Sequence, residues 1–288
     1  MERSQVNSLY QEKIKRAILR IQDAYKIAQS FNNALICAYS GGKDSDVLLD
    51  LCIKSGVDFE AVHNHTTVDA PETIYHIREV FKNLSDLGVP NKINYPKMSM
   101  WELIPNKLMP PTRTVRYCCE ILKERKFKNQ HILTGVRWDE SNSRKNRGVH
   151  ESLHVKKDKR IVYFDENDDH QKLTNICMSK NRIATNPMID WLDREVWEYV
   201  KSNNIKMNPL YDKGYKRVGC IGCPMGGKSM YKEFAEYPVY RTNYIKAFDR
   251  MLEERSLRGL VTDKWECGED VMKWWLKEDA NQISMFED

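Results

Sequence analysis

Two groups of residues in this chain have types and spacings suited to chemistry. The first is Ser40-Gly41-Gly42-Lys43-Asp44-Ser45, set between a short apolar run and an amphipathic stretch. Glycines there let backbone N–H groups approach an anion, and a helix starting at the loop adds its partial positive charge. Lys43 can neutralise charge on a leaving phosphate, and the Ser40 and Ser45 hydroxyls can donate to its oxygens. The run is not a Walker loop, which is longer and ends Gly-Lys-Ser/Thr. The second group is four cysteines: Cys118-Cys119 and, 100 intervening residues later, Cys220-Ile-Gly-Cys223. Thiolates at Cys-x-x-Cys spacing can grip one metal or cluster from a tight turn. Adjacent cysteines are unusual ligands for tetrahedral zinc, because neighbouring side chains diverge. An iron–sulfur cluster, zinc and free thiols are the alternatives.

Weaker candidates surround these groups. Arg137 and Arg144 fall in a loop after an apolar strand, where ligands bind in parallel sheets, and can clamp phosphate or sulfate. His63 ends a strand and His65 begins a loop, which favours structural or substrate-contact roles over a metal pair. Cys37 and Cys52 read as core, and Cys177 has no evident partner. Cys267 stands beside Glu266, Glu269 and Asp270, acids that disfavour the thiolate a nucleophile needs.

The elements that must position these groups follow from the hydrophobic pattern. Residues 9–31 repeat apolar side chains at helical spacing. Ala34-Leu-Ile-Cys-Ala-Tyr39 is a buried parallel strand, and a helix begins at Asp46 just past the Ser-Gly-Gly loop. Further strands are expected at 59–63, 92–95 and 132–134, with helices at 72–87 and 193–203. Pro71 opens the first of these helices. The alternation predicts an α/β fold with a doubly wound, mostly parallel sheet. Gly148–Thr185 breaks the rhythm and reads as an inserted arm or hairpin. Two helices, around 244–255 and 269–277, occupy the tail. The expected organisation is an α/β nucleotide-binding domain over 1–224, with the arm at about 148–185, and a helical extension over 225–288.

Composition narrows the class. The chain has 288 residues, 41% hydrophobic and 30% charged, which suits a globular protein and not a disordered one. No apolar run spans a bilayer and the first 16 residues carry no signal-peptide core, so a cytoplasmic protein without a membrane partner is expected. Its eight cysteines are then not a disulfide framework. Net charge is only +5, but residues 106–160 hold 15 Lys/Arg against 6 acids, leaving the remainder at −4. That concentration suits a polyanionic partner such as nucleic acid.

The hexapeptide resembles the pyrophosphate loop of the ATP pyrophosphatase superfamily. Further matches are Pro71-Glu72-Thr73, Thr134-Gly135-Val136-Arg137 continuing to Glu140-Ser141 and Arg144, Asn186-Pro-Met-Ile-Asp-Trp191, and Asn208-Pro-Leu-Tyr-Asp212 before Gly219-Cys220. Together they resemble the 3′-phosphoadenosine 5′-phosphosulfate (PAPS) reductase family, from about Ala34 to Pro224. The resemblance implies an adenine nucleotide alpha-hydrolase-like, Rossmann-like sheet and a nucleotide held by Ser40, Gly41, Gly42, Lys43, Asp44, Ser45, Gly135 and Arg144. Lys43, Asp44 and Arg137 would be catalytic, with Mg²⁺ held in part by Asp44. The family's adenosine phosphosulfate (APS) reductases imply a [4Fe–4S] cluster on Cys118, Cys119, Cys220 and Cys223.

The resemblance leaves more than one activity. An ATP pyrophosphatase would adenylate an oxygen of its substrate, and a persulfide sulfur would displace AMP. The loop and four cysteines are similar to those of the sulfurtransferase component of DNA phosphorothioation systems, which implies a DNA acceptor and a cysteine desulfurase as sulfur donor. An APS or PAPS reductase would instead use a catalytic thiol to release sulfite. Glu266-Cys267-Gly268 resembles the start of the reductases' Glu-Cys-Gly-Leu-His signature, but Glu269-Asp270 replaces Leu-His. The intact loop favours the first activity, since reductases have no β-phosphate to release. A non-catalytic iron–sulfur nucleotide-binding regulator is the remaining class. Oligomeric state is left open.

Overall fold

A strand, a glycine turn and a helix follow one another over residues 35–55, and the first of two units is built around them. The computed structural model describes residues 2–124, 130–153, 162–163, 182–260 and 264–277. Arg125, Lys126, Lys128, Lys156, Lys157, Lys159 and Arg160 of the basic stretch, the acidic run at 165–169, and Cys177 lie outside the described residues. The chain divides into Met1–His63, Pro71–Asn94 and Lys126–Val218 as one unit and Asn64–Ala70, Tyr95–Arg125 and Gly219–Asp288 as the other.

The first unit holds strands β1 (Leu35–Ala38), β2 (Glu60–Asn64), β3 (Asn91–Asn94), β4 (His131–Leu133), β5 (His150–Leu153), β6 (Val162–Tyr163) and β7 (Arg182–Thr185) in one sheet, ordered β3-β2-β1-β4-β7-β5-β6. β1 runs parallel to β2 and to β4, with Ile36 opposite Glu60 and Ile132. β4 runs parallel to β7, and β5 is antiparallel to both β7 and β6. The expected mixed α/β, mostly parallel architecture is therefore present.

The stretch read as an inserted arm or hairpin, 148–185, includes described residues of three strands. β5 and β6 do pair as antiparallel strands, but they extend the main sheet, and β7 is one of its parallel members. Arg182-Ile-Ala-Thr185 is too polar and short to announce a buried strand; its place is set by pairing with β4.

Helices α1 (Glu2–Ser30), α2 (Lys43–Ser55), α3 (Pro71–Asp86) and α5 (Asp193–Ser202) complete this unit, with α4 (Met100–Lys107) in the other. Ala17, Ile21, Ala24 and Ala28 bury one stripe of α1, the helical periodicity read from the sequence. They join Leu35 and Cys37 of β1, Leu48 and Leu51 of α2 and Trp191 in one core. Ile36, Val62 and Ile132 form a smaller cluster from the alternate positions of three strands. Both faces of the central strands are thus buried, which explains their continuous apolar runs. Burial of Cys37 and Cys52 accords with their core reading.

The second unit is helical. Besides α4 it contains α6 (Ser229–Glu236), α7 (Pro238–Leu257), α8 (Gly268–Leu276) and a π-helical turn at Cys119–Glu124. Its core is aromatic: Tyr244 packs against Trp101 and Trp275, each at 4.9 Å between ring centres, and Phe248 meets Trp275 edge-on. The Trp275 indole N–H donates to the Pro111 carbonyl at 2.6 Å. Among the described residues no helix is long and apolar enough to cross a membrane.

Candidate functional site

The strand order places a switch point between β1 and β4. β1 leads by α2 to β2 on one side, while β4 lies on the other, so a crevice opens at their carboxyl ends. Ser40–Ser45 leaves β1 there, and Gly135 and Arg137 follow β4. Two glycines are required by this geometry. Gly41 has φ +73°, and a Cβ on it would stand 2.9 Å from Ile77 Cγ1; at Gly135 a Cβ would stand 3.0 Å from the Asp44 carbonyl oxygen. A side chain at either position would push the loop out of place.

The loop is held from several directions. Gly42 N–H donates to Ser45 Oγ at 3.1 Å, and Ser45 Oγ–H donates to the Gly42 carbonyl at 2.7 Å. The Asn208 amide donates to the Gly41 carbonyl at 2.9 Å. Lys43 N–H, at the start of α2, donates to the Tyr211 hydroxyl at 2.9 Å. Next to the loop, the buried Tyr39 hydroxyl donates to Asp46 and lies 3.1 Å from His76 Nε2. Burial, then the Asp46 charge, drives the Tyr39 pKa far above its ordinary value.

Four charges meet at this end of the sheet. Arg137 Nε lies 2.7 Å from Asp44 Oδ1, and Lys43 Nζ lies 3.0 Å from Asp44 Oδ2. Asp193 Oδ1 is 3.0 Å from Lys43 Nζ and 3.0 Å from Arg137 Nη2. The Arg137 side chain is 2% exposed, that of Asp193 53%. Burial alone would raise the Asp193 pKa, but Lys43 and Arg137 outweigh it and hold the carboxyl below its usual value. Lys43, Asp44 and Arg137, expected to act together, are brought together. Arg144 pairs instead with Glu140, whose carboxylate also accepts Arg137 N–H at 3.0 Å. Sequence reasoning missed Asp193, because a carboxylate in the first turn of α5 reads only as favourable to the helix dipole. Asn208 and Tyr211 stand in the Asn208–Asp212 motif that carried the resemblance, but their contacts with the loop were not anticipated.

All four candidate ligand cysteines belong to the second unit, and all are half-buried. Cys220 is bridged to Asp69, its thiol lies 3.4 Å from Thr66 Oγ1, and Gly222 N–H donates to Glu233 at 2.7 Å. The Cys118 pKa is driven well above the ordinary thiol value by its hydrogen bond with Cys119, then by burial, then by the charges of Cys119, Cys220 and Cys223. The Cys220 charge, opposed by burial, raises the Lys123 pKa. Four thiols from two segments, with a lysine beside them, have the donor chemistry of a thiolate-bound cluster. Among the described residues, however, no three His, Cys, Asp or Glu side chains converge closely enough to hold a metal ion. A cleft of about 460 Å³ lined by Thr114, Arg116, Tyr117 and Glu120 borders Cys119.

His63 is buried with Nδ1 3.0 Å from the Tyr39 carbonyl, and His65 Nδ1 accepts Thr67 N–H at 2.9 Å. Each thus serves its own local backbone. Cys267 is exposed at the start of α8, with its thiol 3.5 Å from Asp270 Oδ2.

A Ser-Gly-Gly loop at the switch point of a mostly parallel sheet defines the nucleotide-binding α/β class. Residues 34–225 match the phosphoadenosine phosphosulfate reductase domain, and the chain belongs to that family. It is 28% identical over 232 residues to adenosine 5′-phosphosulfate reductase of Bacillus cereus, covering 78% of this chain and 86% of that one. It is 27% identical over 256 residues to an uncharacterized protein of Methanocaldococcus jannaschii, covering 85% of this chain and 55% of that one. The chain therefore spans about half the length of this second relative. A solved structure of PAPS reductase from Candida auris is similar with a TM-score of 0.47 and 21% identity, over 69% of this chain and 87% of that one.

Proposed function

We propose that the chain is an ATP pyrophosphatase-type sulfurtransferase that forms AMP and pyrophosphate. One observation carries this reading: an intact Ser40–Ser45 loop at the switch point, with Lys43 and Arg137 gathered on the same two carboxylates. An acceptor oxygen attacks the α-phosphorus, the bond to the β-phosphate's bridging oxygen breaks, and its electron pair leaves with pyrophosphate. Lys43 offsets the growing charge on the leaving group and Arg137 holds oxygens of the α-phosphate. Gly41, Gly42 and the Ser40 and Ser45 hydroxyls cradle the β- and γ-phosphates at the start of α2. Gly135 leaves room for the nucleoside, and Arg144 orders the loop through Glu140. Asp44 would help hold Mg²⁺, which would supply charge neutralisation for the phosphates. The outer sulfur of a cysteine desulfurase persulfide then attacks the adenylated centre and AMP leaves with its oxygen. A second thiolate attacks the desulfurase sulfur of the resulting disulfide, so the transferred sulfur stays on the acceptor and a thiol disulfide is the by-product.

Cys118, Cys119, Cys220 and Cys223 would hold a [4Fe–4S] cluster, which when bound supplies electron-transfer and sulfur chemistry. Nucleic acid, DNA in particular, is the acceptor class that suits the basic charge over 106–160.

A second reading is favoured by the name of the Bacillus cereus relative: reduction of APS or PAPS to sulfite, with Cys267 as the attacking thiol. Anaerobically purified protein offered ATP, APS and PAPS side by side separates the two. The proposal expects AMP and pyrophosphate from ATP, retained in Cys267→Ser. Sulfite from APS or PAPS with a thiol donor, lost in Cys267→Ser and indifferent to ATP, would establish the reductase instead.

A further inference from the structure

The cations of the loop are already occupied by an oxygen in the chain itself. Asp193 Oδ1 lies 3.0 Å from Lys43 Nζ and 3.0 Å from Arg137 Nη2, one atom shared by two positive groups. A phosphate oxygen bound at this loop would make the same pair of contacts. We propose that the Asp193 carboxylate stands in for a phosphate oxygen in the ligand-free chain and is displaced when a polyphosphate binds. This rests on the nucleotide reading above and adds to it a residue that sets the affinity of the site.

Three observations separate Asp193 from an ordinary structural partner. The first is asymmetry of burial. The Lys43 and Arg137 side chains are 10% and 2% exposed, whereas Asp193 is 53% exposed. The cations are enclosed, whereas the acid borders water and can turn toward it by side-chain rotation alone. The second is redundancy. With Asp193 gone, Arg137 still donates from Nε to Asp44 at 2.7 Å and from Nη1 to the Trp191 carbonyl at 3.3 Å. Lys43 keeps Asp44 at 3.0 Å. Orientation of the cations thus does not depend on Asp193. The third is charge. Lys43 and Arg137 face Asp44 and Asp193, with Asp139 at 3.8 Å from Arg137 Nη1. Releasing Asp193 removes one negative charge from the ligand's approach, and a polyphosphate supplies the replacement anion with more charge than a carboxylate.

A ligand that must first displace an internal competitor binds more weakly by the fraction of time the site is open. The test is calorimetric binding of inorganic pyrophosphate and of ATP to the full chain, with EDTA and separately with Mg²⁺, for wild type, Asp193→Asn and Asp193→Ser. The serine variant keeps a residue suited to a helix start, and near-ultraviolet circular dichroism checks packing. Both variants are expected to bind pyrophosphate about three- to tenfold more tightly than wild type, with EDTA as well as with Mg²⁺. In turnover, the KM for ATP falls and kcat does not rise. Equal or weaker pyrophosphate binding in the folded variants, with wild type binding ATP, would overturn this inference and leave the nucleotide reading intact. Loss of affinity only in the presence of Mg²⁺ would make Asp193 a metal ligand and likewise overturn it. If wild type binds neither pyrophosphate, ATP, APS nor PAPS, the nucleotide reading falls and this inference falls with it.

Discussion

Arg137 Nε donates to Asp44 Oδ1 at 2.7 Å, joining residues from the turn after β4 and the first turn of α2. The contact makes the site a product of two adjacent parallel strands, and it gives the first prediction. Arg137→Ala removes a buried guanidinium and leaves Asp44 on Lys43 alone. Its expected cost is about 2 kcal/mol, several degrees in Tm, with AMP and pyrophosphate formation abolished. Lys43→Ala is expected to abolish that turnover too, while iron content is retained, because the cysteines belong to the other unit. Thermal melts, product assays and iron analysis on both variants check this. Turnover surviving in either would remove that residue from the chemistry.

Acid stability is the second prediction. His131 Nε2 and His150 Nδ1 lie 2.6 and 2.9 Å from the same oxygen, Thr185 Oγ1. Burial, then the neighbouring His150, lowers the His131 pKa to about 3, and burial lowers that of His150 to about 4. Both rings are therefore neutral in the folded chain, while the unfolded chain binds protons near the ordinary histidine value of about 6.5. A depressed folded pKa means stability is complete above that value and is lost as pH falls from it toward the folded values. Tm should thus drop steadily from about pH 6.5 to about pH 4. His131→Asn should flatten that slope. A wild-type Tm constant across the range would refute the assignment.

Metal content is the third prediction. Anaerobically purified protein should be brown, with about four irons per chain and matching acid-labile sulfide. Cys220→Ser and Cys118→Ser should each lose the colour. Colourless protein with one stoichiometric zinc would replace the cluster by a structural metal.

The fourth prediction concerns the acceptor. If it is nucleic acid, affinity should fall linearly on a log–log salt plot as counterions are released. Charge reversal at Lys156, Lys157 and Lys159 should reduce that slope and leave the melting temperature unchanged. Affinity independent of salt would leave the basic stretch as a solvated face.

Local chemistry was legible in the sequence. Ser40–Ser45, the apolar run before it and the helical periodicity after it depend only on neighbours along the chain, so strand, turn and helix could be placed within a few residues. That Lys43, Asp44 and Arg137 act together was implied by the family resemblance; their ion pairs follow from the adjacency of β1 and β4, which tertiary structure decides. What tertiary structure decided are relations between distant segments. β7 is a parallel strand because β4 offers it an edge, not because Arg182-Ile-Ala-Thr185 is strongly apolar. Asp193 and Tyr211 reach the loop because α5 and the segment after it belong to the same unit. Their spacing from Lys43, 150 and 168 residues, carries no local signal. The histidines of β4 and β5 meet on Thr185 through strand register, which hydrophobic pattern leaves unspecified for such short strands.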